Sequence, residues 1–315
     1  MKTHLNLTEV SFFKKTIVTI GTFDGVHLGH KKILKKLVEN ANQINCESVV
    51  LTFFPHPQLV LNPQSNIKLL NTIEEKIDLL DKTGLNHLII QPFDTNFSKL
   101  TAEEFVKSIL VDTLNIQKII IGYDHRFGHN RSADINDLIE FGKKFNFEVG
   151  QISVEELDEI AISSTKIRNA LQEGNIDLAK NYLGYHYTFS GKVGLGKQLG
   201  RTIGFPTANV VVEEEYKLIP KTGVYIVKCE INKEIVFGMM NIGYRPTVNG
   251  KNKTIEVHLF HFDQDLYNKT ITVSIIHKLR EEQKFDSVEL LKEQLNVDKV
   301  NSFTFLNLNG FTSGV

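Results

Sequence analysis

Thr16-Ile-Val-Thr-Ile-Gly-Thr-Phe-Asp-Gly-Val-His-Leu-Gly-His30 runs straight into the amphipathic stretch KKILKKLVENA. The five β-branched residues at its start read as a buried strand, and the stretch after His30 has helical period. The segment between them is therefore a strand-to-helix turn, the place where ligands sit in an open α/β sheet. Gly21, Gly25 and Gly29 let a backbone come close to a phosphate, and the helix start that follows favours anions. His27 and His30 are three apart and share a face. Two imidazoles aimed at one phosphate can stabilise the charge that grows on it during transfer. A zinc site would need further ligands, and only His56 and a Cys46 set in a polar helix end are at hand, so nucleotidyl transfer is the better reading.

Working outward, residues 48–53 (SVVLTF), 87–90 (HLII) and 118–121 (KIII) also read as buried strands, with helical patterns between them. Thr72 with Glu75, and Thr101 with Glu104, are capping boxes. Strands alternating with helices imply βαβ units and a parallel sheet. After about Gly184 the pattern changes. Residues 187–193, 223–230, 235–241, 254–260 and 270–279 are β-rich, with turn pairs at Asn232-Lys233 and Asn249-Gly250. Only residues 286–295 (DSVELLKEQL) read as a helix there, capped by Asp286 or Ser287. That pattern predicts a small β-barrel with one late helix. Residues 301–315 show no clear period.

A chain of 315 residues is long enough for two domains, and 41% hydrophobic with 23% charged residues is the balance of a soluble globular protein. Net charge is −1, with 20 basic and 23 acidic residues up to Gly184 and 16 and 14 after it. Neither half is a nucleic-acid-binding module on charge, so bound phosphates must be held locally. Cys46 and Cys229 are too few for a disulfide framework and read as reduced thiols of a cytoplasmic protein. The polar N-terminus carries no secretory signal, and no apolar run is long enough to span a membrane.

Several motifs extend the reading through resemblance. His27-Leu-Gly-His30 resembles the HxGH signature of the nucleotidyltransferase superfamily, and the preceding GxFDGV is similar to the form in bacterial FAD synthetases, with Thr22 where many members have Asn. Thr52-Phe-Phe-Pro-His-Pro57, Gly122-Tyr-Asp-His-Arg-Phe-Gly128 and Ile162-Ser-Ser-Thr-Lys-Ile-Arg168 resemble that family's TFxPHP, GxDxRFG and ISSTxIR segments. The resemblance implies ATP contacts from Gly21, Phe23, Asp24, His27, His30, Ser164, Thr165 and Arg168. It implies FMN contacts from Phe54, His56, Pro57, Asp124, Arg126 and Phe127. Pro55 and Pro57 would hold an extended loop beside His56, and the hydroxyls of residues 163–165 would meet phosphates at a helix start.

In the second half, Gly191-Lys-Val-Gly-Leu-Gly196-Lys197-Gln198 has P-loop spacing, but Gln198 replaces the hydroxyl that a Walker motif needs on magnesium. The residues after it read as a turn, so that reading is rejected. Pro206-Thr-Ala-Asn209 resembles the PTAN signature of riboflavin kinases, with the GxVxxGxxxGR lead-in visible from Gly191 to Arg201. Pro220-Lys-Thr-Gly-Val-Tyr225, Asn241-Ile-Gly-Tyr-Arg-Pro-Thr247 and Thr254-Ile-Glu-Val-His258 resemble further segments of that family. The resemblance implies Glu256 as the general base, with His27 and His30 the catalytic pair of the first half. It implies ATP contacts from Gly196, Lys197, Pro206, Thr207 and Asn209, flavin contacts from Arg245 and Arg280, and Mg²⁺ on Thr207 and Asn209. Asn268 stands where a Gly is usual, but Asn tolerates positive φ.

Taken together, the chain resembles the bacterial bifunctional riboflavin kinase/FMN adenylyltransferase family. The expected fold is a Rossmann-like HxGH domain over residues 1–184, a six-stranded riboflavin-kinase barrel with a C-terminal helix over 185–300, and an unassigned tail over 301–315. The expected substrates are riboflavin, FMN and ATP, with FMN and FAD as products. Neither a nucleic-acid nor a membrane partner is expected, and the sequence leaves self-association open. Two rivals are another HxGH nucleotidyltransferase, which leaves the PTAN half unexplained, and a non-catalytic flavin-binding protein that kept the fold.

Overall fold

A computed structural model describes the chain except residues 13, 123–125, 153–161, 197–198, 248–249 and 312–315, and except the side chains of 199, 245–247 and 250–252. Asp124, Lys197, Gln198 and Asn249 lie outside the described residues, as does the side chain of Arg245. Two compact units are present, Met1–Ser164 and Thr165–Val315. Among the described residues, no helix is long and apolar enough to cross a membrane.

The first unit holds six parallel strands: β1 (Lys2–His4), β2 (Thr16–Ile20), β3 (Glu47–Phe54), β4 (His87–Pro92), β5 (Ile116–Gly122) and β6 (Glu148–Ile152). Their order is β1-β4-β3-β2-β5-β6. The chain winds outward from β2 through β3 to β4, then returns to place β5 on the other side of β2. The order therefore reverses between β2 and β5, which makes the carboxyl end of β2 the crevice of the sheet. Side chains alternate along the strands into two cores. Val18, Leu51, Ile119 and Ile121 join one, and Ile17, Val50, Leu88 and Ile120 join the other.

Helix α1 (Leu28–Gln43) follows β2, with α2 (Pro57–Leu61) and α3 (Ile73–Asp81) after β3. Both expected capping boxes are formed, at Thr72/Glu75 and at Thr101/Glu104. The second opens α4 (Ala102–Glu104), which continues as a π-helix over Phe105–Thr113. α5 (Ile135–Phe145) precedes β6. One expectation is corrected: Pro57 does not extend a loop but sits at the first turn of α2, with His56 as its N-cap. Proline suits that position because its missing N–H has no helical partner there.

Helix α6 (Ser164–Glu173) starts at the last residue of the first unit, and α7 (Ile176–Leu183) lies within the second. Then come β7 (Thr188–Gly194), a short α8 (Leu199–Thr202), β8 (Ala208–Val211), β9 (Gly223–Ile231), β10 (Glu234–Thr247), β11 (Gly250–Leu259) and β12 (Thr270–Arg280). The six strands close into a barrel in the order β10-β11-β8-β7-β12-β9, with every pair antiparallel. Asn232 and Lys233 both have positive φ, 52° and 71°, the geometry of a two-residue hairpin turn. Asn268 takes φ 61°, as its tolerance for that region allows. α8 corrects the turn expected after Gln198: one helical turn does follow, and the P-loop reading fails on the missing hydroxyl alone.

The last helix, α9 (Val288–Leu308), is capped by Ser287 and runs well past the expected end at 295. Its buried stripe is Asp298, Ser302 and Leu306. Two of those three are polar, which hides the apolar period that a sequence reading follows. Asp298 is satisfied by Arg280, and Ser302 Oγ donates to the Asp298 carbonyl at 2.7 Å.

Candidate functional sites

The turn after β2 is held in an uncommon backbone shape. Phe23, Gly25 and Val26 all have positive φ, at 47°, 87° and 34°. For a β-branched valine that is a strained position, of the order of 1–3 kcal/mol, and it persists only where the surroundings over-determine it. They do so here. Val26 and Phe23 are buried in the core, and the Val26 N–H donates to the Phe23 carbonyl at 3.2 Å. Asp24 is also buried, and its carboxylate accepts from the Leu70 N–H (2.9 Å to Oδ1) and the Asn71 N–H (3.3 Å). Asp24 thus bolts the turn to the segment ahead of α3. Ser164 Oγ donates to the Asp24 carbonyl at 2.9 Å, so that hydroxyl braces the same turn.

His27 is the N-cap of α1, its Nδ1 accepting from the His30 N–H at 3.4 Å. The two imidazoles stack with centroids 3.6 Å apart and planes 18° from parallel. A Cβ at Gly29 would press on the His27 ring at 3.2 Å, so glycine there leaves the stack room. The Phe23 ring lies 5.0 Å from His30. Burial first, then the neighbouring His27 and Lys76, hold the His30 imidazole well below its ordinary pKa. His30 is therefore neutral near pH 7, and its buried Nδ1 has no hydrogen-bond partner among the described residues.

The other residues expected around this site are less concentrated. Phe54 ends β3, with a cis peptide to Pro55, and His56 Nδ1 accepts from the Gln58 N–H at 3.2 Å. Phe127 packs into the core against Phe105, while Arg126 is exposed. Thr165 is exposed on the first turn of α6, and Arg168 is half-buried one turn on.

Sequence reasoning overlooked Lys76. It is 4% exposed, and its Nζ donates to the Thr22 carbonyl of the turn at 2.7 Å. A signal was present: Ile73, Lys76, Ile77 and Leu80 follow the i, i+3, i+4, i+7 pattern of a buried helix face.

In the barrel, Glu256 pairs directly with Asn209 of β8 on one side and with Asn241 of β10 on the other. Residues opposite one another in a ladder share a face, so these oxygen-bearing groups form one row across three strands. A Cβ at Gly196 would collide with the Asn209 amide, so glycine there makes room for it. A cleft of about 340 Å³ is lined by Arg201, Pro206, Thr207, Ala208 and the turn carrying Asp265 and Tyr267. His258 Nδ1 donates to the Pro206 carbonyl at 2.8 Å, and its ring meets Phe205 and Phe260 edge-on. Arg280 forks onto Asp298 of α9, Nη2 to Oδ2 at 2.7 Å and Nε to Oδ1 at 2.9 Å.

Two family models match, FAD synthetase over residues 10–166 and riboflavin kinase over 183–306. A Buchnera aphidicola protein named bifunctional riboflavin kinase/FMN adenylyltransferase is 41% identical, with 93% of this chain and 94% of the relative covered. The chain belongs to the bifunctional riboflavin kinase/FMN adenylyltransferase family. An Escherichia coli relative of the same name is 36% identical over 93% of each chain. A crystal structure named a macrolide-efflux protein, from Streptococcus pneumoniae, superposes with a TM-score of 0.87 at 31% identity, covering 95% of this chain and 97% of that one. Its name departs from those of the curated relatives, while its fold matches that of this chain over nearly the whole length.

Proposed function

We propose that this member of the family performs both reactions, phosphorylating riboflavin to FMN with ATP and adenylylating FMN with a second ATP to give FAD and pyrophosphate. The observation that carries the reading is the succession of the two family models on one chain, each over a folded unit of the matching architecture. We assign adenylylation to residues 1–184 and phosphorylation to residues 185–300.

In the first reaction of the pair, Glu256 accepts the proton of the terminal ribityl hydroxyl as that oxygen attacks the γ-phosphorus of ATP. The bond from the γ-phosphorus to its bridging oxygen breaks, and ADP leaves. Thr207, Asn209 and Glu256 supply only oxygen donors, the chemistry a magnesium ion takes. Thr207 and Asn209 would hold it, and there it would neutralise charge on the ATP phosphates. Arg245 and Arg280 are assigned to the flavin side, with Arg280 acting from its fork on Asp298. Gly196, Lys197 and Pro206 are assigned to the nucleotide.

In the second reaction, a phosphate oxygen of FMN attacks the α-phosphorus of ATP, and the α–β bridging bond breaks to release pyrophosphate. The stacked His27 and His30 stabilise the charge that develops on the transferring phosphate. Gly21, Phe23 and Asp24 shape the turn that receives the triphosphate, and Ser164, Thr165 and Arg168 are assigned to ATP. Phe54, His56, Pro57, Asp124, Arg126 and Phe127 are assigned to FMN. We place the enzyme in the cytoplasm, in keeping with Cys46 and Cys229 both being free thiols.

The test of these site assignments is a pair of variants assayed for both reactions. His30→Ala should lose adenylylation and keep phosphorylation, and Glu256→Gln should do the reverse. Loss of both activities in either variant would overturn the assignment.

A further inference from the structure

We infer that Lys76 is a phosphate-positioning residue of the adenylyltransferase site, clipping the anion-binding turn through the Thr22 carbonyl and holding its remaining donors for the pyrophosphate that leaves.

Lys76 sits on α3, and its buried ammonium reaches the turn after β2. It has three N–H donors, and the Thr22 carbonyl takes one at 2.7 Å. Among the described residues, that is the single hydrogen bond its Nζ makes. Burying an ammonium with most of its donors unused is costly unless a ligand completes it. The acidic group whose field acts on it, Asp24, already spends its carboxylate on the Leu70 and Asn71 N–H groups. Two further polar atoms nearby also lack partners among the described residues, His30 Nδ1 and Asn71 Oδ1. Asn71 adjoins Asp24 through its own N–H, and His30 feels the Lys76 charge. A polar cluster at the carboxyl end of β2, next to a helix start, suits a polyanion.

The chemistry fits the departing group better than the transferred one. Breaking the α–β bridge leaves growing negative charge on the β-phosphate, and a buried cation within hydrogen-bond reach lowers that cost. Burial pulls the ammonium down to about 8 while Asp24 pulls it up, so it is still mostly charged at neutral pH. His30, being neutral, offers hydrogen bonding rather than a formal charge. Lys76 is then the local source of full positive charge on α3, a task the two histidines do not perform.

The inference rests on the assignment of His27 and His30 to phosphate, and the experiment separates the two. In the full chain, Lys76→Met removes both the clip and the charge, Lys76→Gln keeps a donor for Thr22 without the charge, and Lys76→Arg keeps both. Each is measured in FAD synthesis and in the reverse reaction, where FAD and pyrophosphate give FMN and ATP. Losing a charge-assisted bond should raise the KM for pyrophosphate roughly ten- to hundredfold in both Met and Gln variants. The KM for FMN and the melting temperature should hold in the Gln variant, and Arg should recover part of the pyrophosphate affinity. If Gln matches Arg, or if the pyrophosphate KM stays at the wild-type value, Lys76 is only a structural clip. Should the Met variant fail to fold, the Gln and Arg pair decides alone. His30→Ala run alongside tests the underlying reading: normal FAD synthesis in that variant removes the site itself, not just Lys76.

Discussion

Glu256 on β11 stands directly opposite Asn209 on β8, two residues along from the Thr207 that lines the barrel cleft. That register puts the proposed base beside the residues assigned to the metal and nucleotide. Glu256→Gln keeps the size and an acceptor, so riboflavin binding should survive while kinase turnover falls roughly 10²–10⁴-fold. His258 donates from Nδ1 to the Pro206 carbonyl, which leaves its Nε2 lone pair as the next candidate base on the same strand face. Steady-state kinetics with riboflavin checks this, and a variant that keeps most of its turnover would mean the base lies elsewhere.

His30→Ala removes one half of the imidazole stack. Adenylylation of supplied FMN should fall by about the 10²–10³ expected for one transition-state donor. The stack packs against the Phe23 ring, so a modest shift in melting of the first unit is also expected. Riboflavin phosphorylation should be unchanged. Parallel loss of both activities would point to misfolding.

The Arg280–Asp298 fork should be costly to break. Asp298 is buried at 2% exposure and also accepts from Gln294 Nε2. Asp298→Ala leaves a guanidinium that is 20% exposed without its counter-charge, which should cost about 1–3 kcal/mol. Urea unfolding of the variant should show this as a lower midpoint in the barrel transition. A change of under about 1 kcal/mol would rank the fork with surface ion pairs.

Much of the architecture was legible because its signals are local. Five β-branched residues, three glycines and an amphipathic run place the turn after β2, and two capping boxes place α3 and α4 to the residue. What escaped reading is what depends on tertiary partners. β1 is three residues long and β6 buries one side chain fully, so neither shows a pattern of its own. α9 hides its buried stripe behind Asp298 and Ser302, whose burial makes sense only once Arg280 is opposite. Within the site, the histidines announce themselves by spacing. The role of Asp24 as a bolt for Leu70 and Asn71 needs contacts 46 and 47 residues away.

The edge of the first unit should weaken in acid. His4 on β1 meets His87 on β4, Nε2 to Nδ1 at 3.0 Å, with the rings stacked and Phe12 edge-on. Burial holds both imidazoles below their ordinary value, although Glu47 beside His87 opposes that shift. The unfolded chain then binds more protons than the folded one below about pH 6.5, so stability falls as pH drops through that value. Denaturant midpoints for wild type and His87→Gln at about pH 7.5 and 5.5 isolate the pair from other histidines. The variant should lose part of the acid sensitivity, and an identical pH slope in both proteins would contradict the assignment.

One chain is expected to carry riboflavin through FMN to FAD. Pure protein incubated with riboflavin, ATP and Mg²⁺, with the flavins separated by chromatography over time, tests it directly. The expected result is FMN appearing first and FAD following at its expense, with Glu256→Gln blocking the first product and His30→Ala the second. Riboflavin that stays unphosphorylated, or FMN that accumulates without any FAD in the wild type, would contradict it.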